Sequence, residues 1–169
     1  EPEKILQSES DESHQLIEEF MLLANETVAK ELRKKKLPGI FRVHPDPDPE
    51  NLEDLRSFLS IFGISCGELT SRKEVNKMLS QINKHPLAQV LRIKFLRSMK
   101  QACYRSSPDG HYGLAKRDYL HFTSPIRRYA DLVVHRVIEQ IVRRQKASKS
   151  DHEKLEGLAK HLSSMERNS

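Results

Sequence analysis

The chain has no tryptophan, and aromatic residues make up 6% of its 169 positions. That is too few for a long platform on which successive nucleobases could stack. Its two cysteines, Cys66 and Cys103, stand far apart and form no CxxC pattern. They build no disulfide framework and, without histidines placed to help, no zinc site; a reducing, cytoplasmic setting is the expectation. The six glycines are dispersed, so no glycine-rich loop cradles a triphosphate. No apolar run approaches the length of a membrane span, residues 1–10 lack the character of a signal peptide, and no internal repeat or low-complexity tract is present. Eight histidines are scattered without an HExxH or comparable ligand pair.

What is present is a polar, folded composition. Charged residues reach 31% and hydrophobic ones 37%, in a length that supports one domain with a real core. Net charge is +5 with a pI near 9.2. That balance favours an anionic partner mildly, while 24 acidic residues argue against a uniformly basic coat for nucleic acid.

Periodicity predicts a largely helical α+β fold with a few short strands. Residues 1–12 read as a loose acidic segment and residues 13–169 as one domain. A long first helix carries Ile17, Phe20, Met21, Ala24, Val28 and Leu32 on one face, and Leu37-Pro38-Gly39 ends it. Its basic tail at 33–36 suits the negative end of the helix dipole better than RNA contact. A short strand is predicted at 40–44. Leu52, Leu55, Phe58, Leu59 and Phe62 mark a second helix stopped by Gly63, and Ser71-x-x-Glu74 reads as a capping box opening a third with Val75, Met78, Leu79 and Ile82. His85-Pro86 breaks that helix. Residues 87–99 then read as a helix apolar round most of its circumference, hence central. A turn at 106–110, extended segments at 111–115 and 119–122, a helix at 125–145, a polar break at 146–150 and a last helix complete the chain.

Asp46, Asp48 and Glu50 offer three carboxylates in five residues, a pattern that suits a hard cation. Alternation with proline holds each preceding residue extended, so a solvated turn with a helix N-cap is the favoured reading. The run HFTSPIRRYADLVVHR at 121–136 is richer. Thr123 or Ser124 can cap a helix and Pro125 suits its first position, with Arg127 and Arg128 in the first turn. Backbone N–H groups, the positive dipole end and guanidinium forks then meet in a place suited to phosphate. At 100° per residue, Ile126, Ala130, Val133, Val134, Val137, Ile138 and Ile141 form one apolar face; Arg127 borders it and Arg128 points away. The residues leave open whether Arg127 and Asp131 form a structural pair or Arg127 meets a phosphate.

HYGLAKRDYLHFTSPIRRYADLVVHR at 111–136 resembles the signature of the ribonuclease II/ribonuclease R family in its RNB catalytic domain, closer to the ribonuclease R branch. The resemblance continues in SHQLIEEFMLLAN at 13–25, LPGIFRVH at 37–44, LRSMKQACY at 96–104 and KHLSSMERNS at 160–169. It implies part of a hydrolytic, divalent-metal-dependent 3′→5′ exoribonuclease that releases nucleoside 5′-monophosphates. Arg127 is then the catalytic clamp on the scissile phosphate. Thr123, Ser124, Arg128, His121, His111 and Glu166 become substrate-binding residues. The family's metal-holding aspartates, for which Mg²⁺ is the expected ion, have no counterpart here. The expectation is therefore the C-terminal part of an RNB domain, inactive alone, with single-stranded RNA as partner and OB-type domains elsewhere in the protein. A catalytically silent RNB-like RNA-binding protein is the alternative. A helical DNA-binding module fits less well, because extended segments replace its partner helix.

Overall fold

The structure, a computed structural model, describes residues 11–143 and 149–168. Most of the expected loose N-terminal segment and residues 146–148 of the expected polar break lie outside the described residues. Helix α1 spans Glu12–Lys34, strand β1 Phe41–Val43, α2 Pro49–Ile61, α3 Arg72–Lys84, α4 Ala88–Ser98, β2 Cys103–Arg105, α5 Tyr129–Val142 and α6 Lys149–Asn168. A 3-10 turn covers Tyr112–Leu114, and β1 pairs with β2 in a two-stranded sheet. The expected predominantly helical α+β class is what forms.

The chain makes two units. One holds the described residues up to 41, residues 105–108 and those from 118 on; the other holds 42–104 and 109–117.

In the first unit, α1 opens at Asp11, whose carboxylate accepts from His14 N at 2.9 Å. It closes with Lys36 in the left-handed region (φ 52), Lys36 N donating to Arg33 O and Leu37 N to Leu32 O. Those two bonds satisfy carbonyls that the helix end would leave open, with lysine standing where glycine is usual. The expected apolar face is buried only in its C-terminal half. Leu32 is covered and Ala24 and Val28 are half-buried, whereas Ile17 and Phe20 are 58% and 59% exposed. Val133, Val134 and Val137 of α5 and Leu155 and Ala159 of α6 are buried, together with Leu120.

The second unit is built on α2, α3 and α4, with α4 packed on both of the others. Leu52, Leu55, Leu59, Ile64, Leu69, Met78, Ile82 and Leu91 form its core. Gly63 ends α2 as the sequence predicts: its φ is +70, and Ile64 N reaches back to Leu59 O at 3.1 Å. Asp48 stands at the N-cap of α2 and pairs with Lys100.

Three expectations need correction. Ser71 is the N-cap of α3 but makes no side-chain capping bond, and the Glu74 carboxylate lies over Gly67, so the capping box does not form. Helix α4 is not central: Leu91 is fully buried, but Leu87, Val90, Ile93 and Leu96 are 44–66% exposed, since only one side meets α2 and α3. The first predicted extended segment is not extended throughout, and the second joins no sheet among the described residues. Residues 112–114 form the 3-10 turn, closed by Ala115 at φ 51, and residues 119–122 run without a ladder partner among the described residues.

Leu91→Ala should lower the unfolding free energy by about 2–5 kcal/mol in urea titrations, because it opens a cavity in the α2–α4 core. Val90→Ala, one residue away on the exposed side, should change it by less than about 0.5 kcal/mol.

Candidate functional site

The segment that carries the TSPIRR run is fastened before it turns. Asp118, itself buried, takes Arg33 of α1, whose Nη1 lies 2.9 Å from both carboxylate oxygens. Asn25 is buried on α1 and serves two partners: its Nδ2 donates to Tyr119 Oη at 3.1 Å and its Oδ1 accepts from Phe122 N at 2.9 Å. A buried amide has to find such partners. Phe122 is also clamped from α5, where the His135 ring stacks on it at 4.2 Å and 8° and His135 Nε2 donates to Phe122 O at 2.8 Å. His135 thus bonds to the backbone of Phe122, and Asp131 takes Ser124 N and Arg128 instead.

Next comes the turn, and here the geometry departs from the sequence reading. The helix does not start at Pro125. Residues 125–127 form a turn in which Arg127 N and Arg128 N both donate to Ser124 O, at 3.3 and 3.1 Å, and α5 begins at Tyr129. Asp131, in the first turn of α5 and 0% exposed, decides this. Its Oδ2 accepts from Ser124 N at 2.8 Å and from Arg128 Nη2 at 2.9 Å. Three of the backbone N–H groups that the sequence offered to a phosphate, those of Ser124, Arg127 and Arg128, are thus engaged within the turn. The anion nearest the positive helix end is the protein's own.

The arginines change places accordingly. Arg128 is the one paired with Asp131, with its side chain 27% exposed. Arg127 is exposed, and its side chain makes no ion pair or hydrogen bond with the described residues. Ile126, expected on the apolar face, is fully exposed, whereas Ala130, Val133, Val134 and Val137 are buried as expected. The side chain of Ile141 lies outside the described residues. Thr123 and Ser124 are half-buried beside Arg127 in sequence, and half-buried His121 meets the Tyr119 ring edge-on at 5.9 Å. Glu166 is exposed in the last turn of α6.

His111 belongs to the second unit. There it caps the 3-10 turn, its Nδ1 accepting from Leu114 N at 3.2 Å, and packs edge-on against His44 at 5.2 Å. His44 Nδ1 accepts from Gly113 N at 3.2 Å, so close that a Cβ on Gly113 would stand 2.8 Å from that nitrogen. Burial first, then neighbouring His44 and Arg42, hold the His111 imidazole down at about 4. Sequence reasoning passed over His44 and Asn25. The signal for Asn25 was an amide set among apolar residues on the covered half of α1.

Residues 1–144 match the RNB domain family, and the chain belongs to that family. Ribonuclease R of Escherichia coli (strain K12) is 40% identical over 145 residues, which is 85% of this chain and 18% of that protein. Among solved structures, Mycoplasma genitalium RNase R in complex with ribose-methylated single-stranded RNA superposes with a TM-score of 0.85 at 29% identity, over 94% of this chain and 26% of that one. Yeast Ssd1, a pseudonuclease, superposes with a TM-score of 0.77 at 28% identity, over 88% of this chain and 19% of that one. The chain spans about a fifth of the length of the curated relatives it matches.

A histidine held below its unfolded value binds its proton less readily in the native state. The stability it contributes is present above the unfolded value of 6.5 and is lost as pH falls towards 4. Thermal unfolding followed from pH 7 to pH 4 should therefore show a smaller decline in His111→Asn than in the wild type. Asparagine keeps an acceptor for Leu114 N but cannot titrate.

Proposed function

We propose that this chain is part of the catalytic domain of a hydrolytic 3′→5′ exoribonuclease that releases nucleoside 5′-monophosphates, and that Arg127 clamps the scissile phosphate. The observation that carries the reading is the contrast between two adjacent arginines in a member of the RNB domain family. Arg128 is engaged by a buried carboxylate, and Arg127 is left outward at the tip of the same turn. A guanidinium without a protein partner can grip two phosphate oxygens at once and balance charge that grows in the transition state. The Thr123 and Ser124 hydroxyls, beside it in sequence, supply further donors to the same phosphate. Arg128 contributes mainly through the turn it holds. His121 and Glu166 are assigned to RNA contact on the family pattern alone, and His111, in the second unit, likewise.

Two divalent ions, Mg²⁺ by expectation, would supply the activated water and stabilise the leaving oxygen. Among the described residues no three His, Cys, Asp or Glu side chains gather into a group that could hold such an ion. The described residues do not by themselves fit a metal pair, and the aspartates that would hold one are assigned to another part of the protein. The isolated chain should accordingly be inactive. RNA as partner is supported by the RNA-bound Mycoplasma genitalium RNase R, to which this chain is similar. OB-type domains elsewhere in the protein and a cytoplasmic location belong to the same reading; among the described residues no helix is long and apolar enough to cross a membrane.

A second reading has an observation of its own, the likeness to the pseudonuclease Ssd1. In that case the scaffold would bind RNA without cutting it. Monophosphate release by the whole wild-type protein separates the two, and Arg127→Ala tests the clamp. Under the exonuclease reading it should cost about a hundredfold or more in single-turnover rate at saturating RNA, with a smaller effect on affinity. Arg127→Lys should recover little, since an ammonium cannot reproduce the fork. A wild-type protein that binds RNA but releases no monophosphate with Mg²⁺ would favour the silent scaffold.

A further inference from the structure

Residues 124–128 form a loop whose two ends meet on a single atom. Ser124 N, at its start, and Arg128 Nη2, at its end, both donate to Asp131 Oδ2, at 2.8 and 2.9 Å. Asp131 is 0% exposed. It therefore has no surface to offer a substrate, yet it sits under the turn that displays Arg127. The residues between its two attachments include Ile126 and Arg127, both exposed, so the strap leaves the tip of the loop outward. A second anchor, Phe122 held by Asn25 and His135, fixes the chain just before the strap begins. The position of Arg127 is set from beneath, by the buried Asp131 and Asn25 together with half-buried Arg128 and His135.

We propose that Asp131 is a positioning residue that acts through Arg127: one carboxylate oxygen ties both ends of the turn and neutralises Arg128, so that a single guanidinium faces the RNA phosphate in a fixed place. This rests on the reading that Arg127 meets the scissile phosphate. Charge makes the second half of the proposal necessary. Two free guanidiniums in one turn would compete for the same phosphate in several geometries, and catalysis by a clamp needs one. Asp131 removes the competitor by pairing with it. Its other oxygen, Oδ1, and Arg128 Nε are buried without partners, so the pair is held at one point and depends on Oδ2.

The test is a double-mutant cycle in the whole protein, read as single-turnover cleavage at saturating RNA for Asp131→Asn, Arg127→Ala and the double variant. Asp131→Asn should lose about tenfold to a hundredfold in rate, the scale expected when a positioned group moves by about 1 Å. RNA affinity should be kept, because Arg128 is then released to the surface. The double variant should lose no more than Arg127→Ala alone, since the two residues act as one device. Losses that multiply would overturn the proposal, because a residue that merely supports the fold affects the rate whether or not Arg127 is present. If Arg127→Ala leaves the rate unchanged, the phosphate reading of Arg127 falls, and the proposal falls with it. Should Asp131→Asn fail to fold in a thermal melt, Arg128→Lys takes its place in the cycle, since it keeps the charge and alters the geometry. The same non-additivity is then expected and the same multiplication would refute it.

Discussion

A carboxylate taken out of water needs partners, and Asp131 has drawn in those nearest to it. One is a backbone N–H seven residues earlier and the other a guanidinium three residues earlier. That demand explains why α5 begins at Tyr129, why the TSPIRR run is a turn, and why one arginine faces inward and its neighbour outward. The positive end of α5 would attract an anion in any case. Here the protein supplies that anion itself, and what it shows to solvent is the arginine left over.

The same economy holds the approach to the turn. Asn25 spends both ends of its amide on the 119–122 segment, and Arg33 closes on Asp118. A stretch with no ladder partner among the described residues is thereby held by side chains of α1. The expected dipole role of the basic tail of α1 remains for Lys34, but Arg33 has a more particular one as the tether of residue 118. Losing a member of such a buried polar set leaves its partners unsatisfied, which costs more than the hydrogen bond itself is worth.

Much of this was legible in the sequence, and the parts that were not share a cause. Gly63 and the 36–39 segment mark the ends of α1 and α2 because left-handed residues and the bonds around them are local. Leu52, Leu55, Leu59, Met78 and Ile82 were readable as core because helical period is local too. Thr-Ser-Pro looked like an N-cap followed by a first-turn proline, and locally it is a good one. The competing claim on Ser124 N comes from Asp131, whose burial depends on α5 being packed, and no window around Pro125 contains that fact. Starting the helix four residues early misplaced the phase and assigned the inward position to Arg127. Residues 111–115 misled in a similar way: their extended look gave way to the 3-10 turn capped by His111 and closed on His44. The spacing of Arg128 and Asp131, three apart on one helix start, was the available clue to the true pair.

The most direct measurement is the salt dependence of single-stranded RNA binding in the whole protein, with wild type compared with Arg127→Ala and Arg128→Ala. Each phosphate contact contributes about 0.7 to the slope of log K against log salt concentration on single strands. If Arg127 meets a phosphate while Arg128 is held by Asp131, Arg127→Ala should lower the slope by about that amount and Arg128→Ala should lower it by clearly less. An unchanged slope in Arg127→Ala, with the loss found in Arg128→Ala instead, would contradict it.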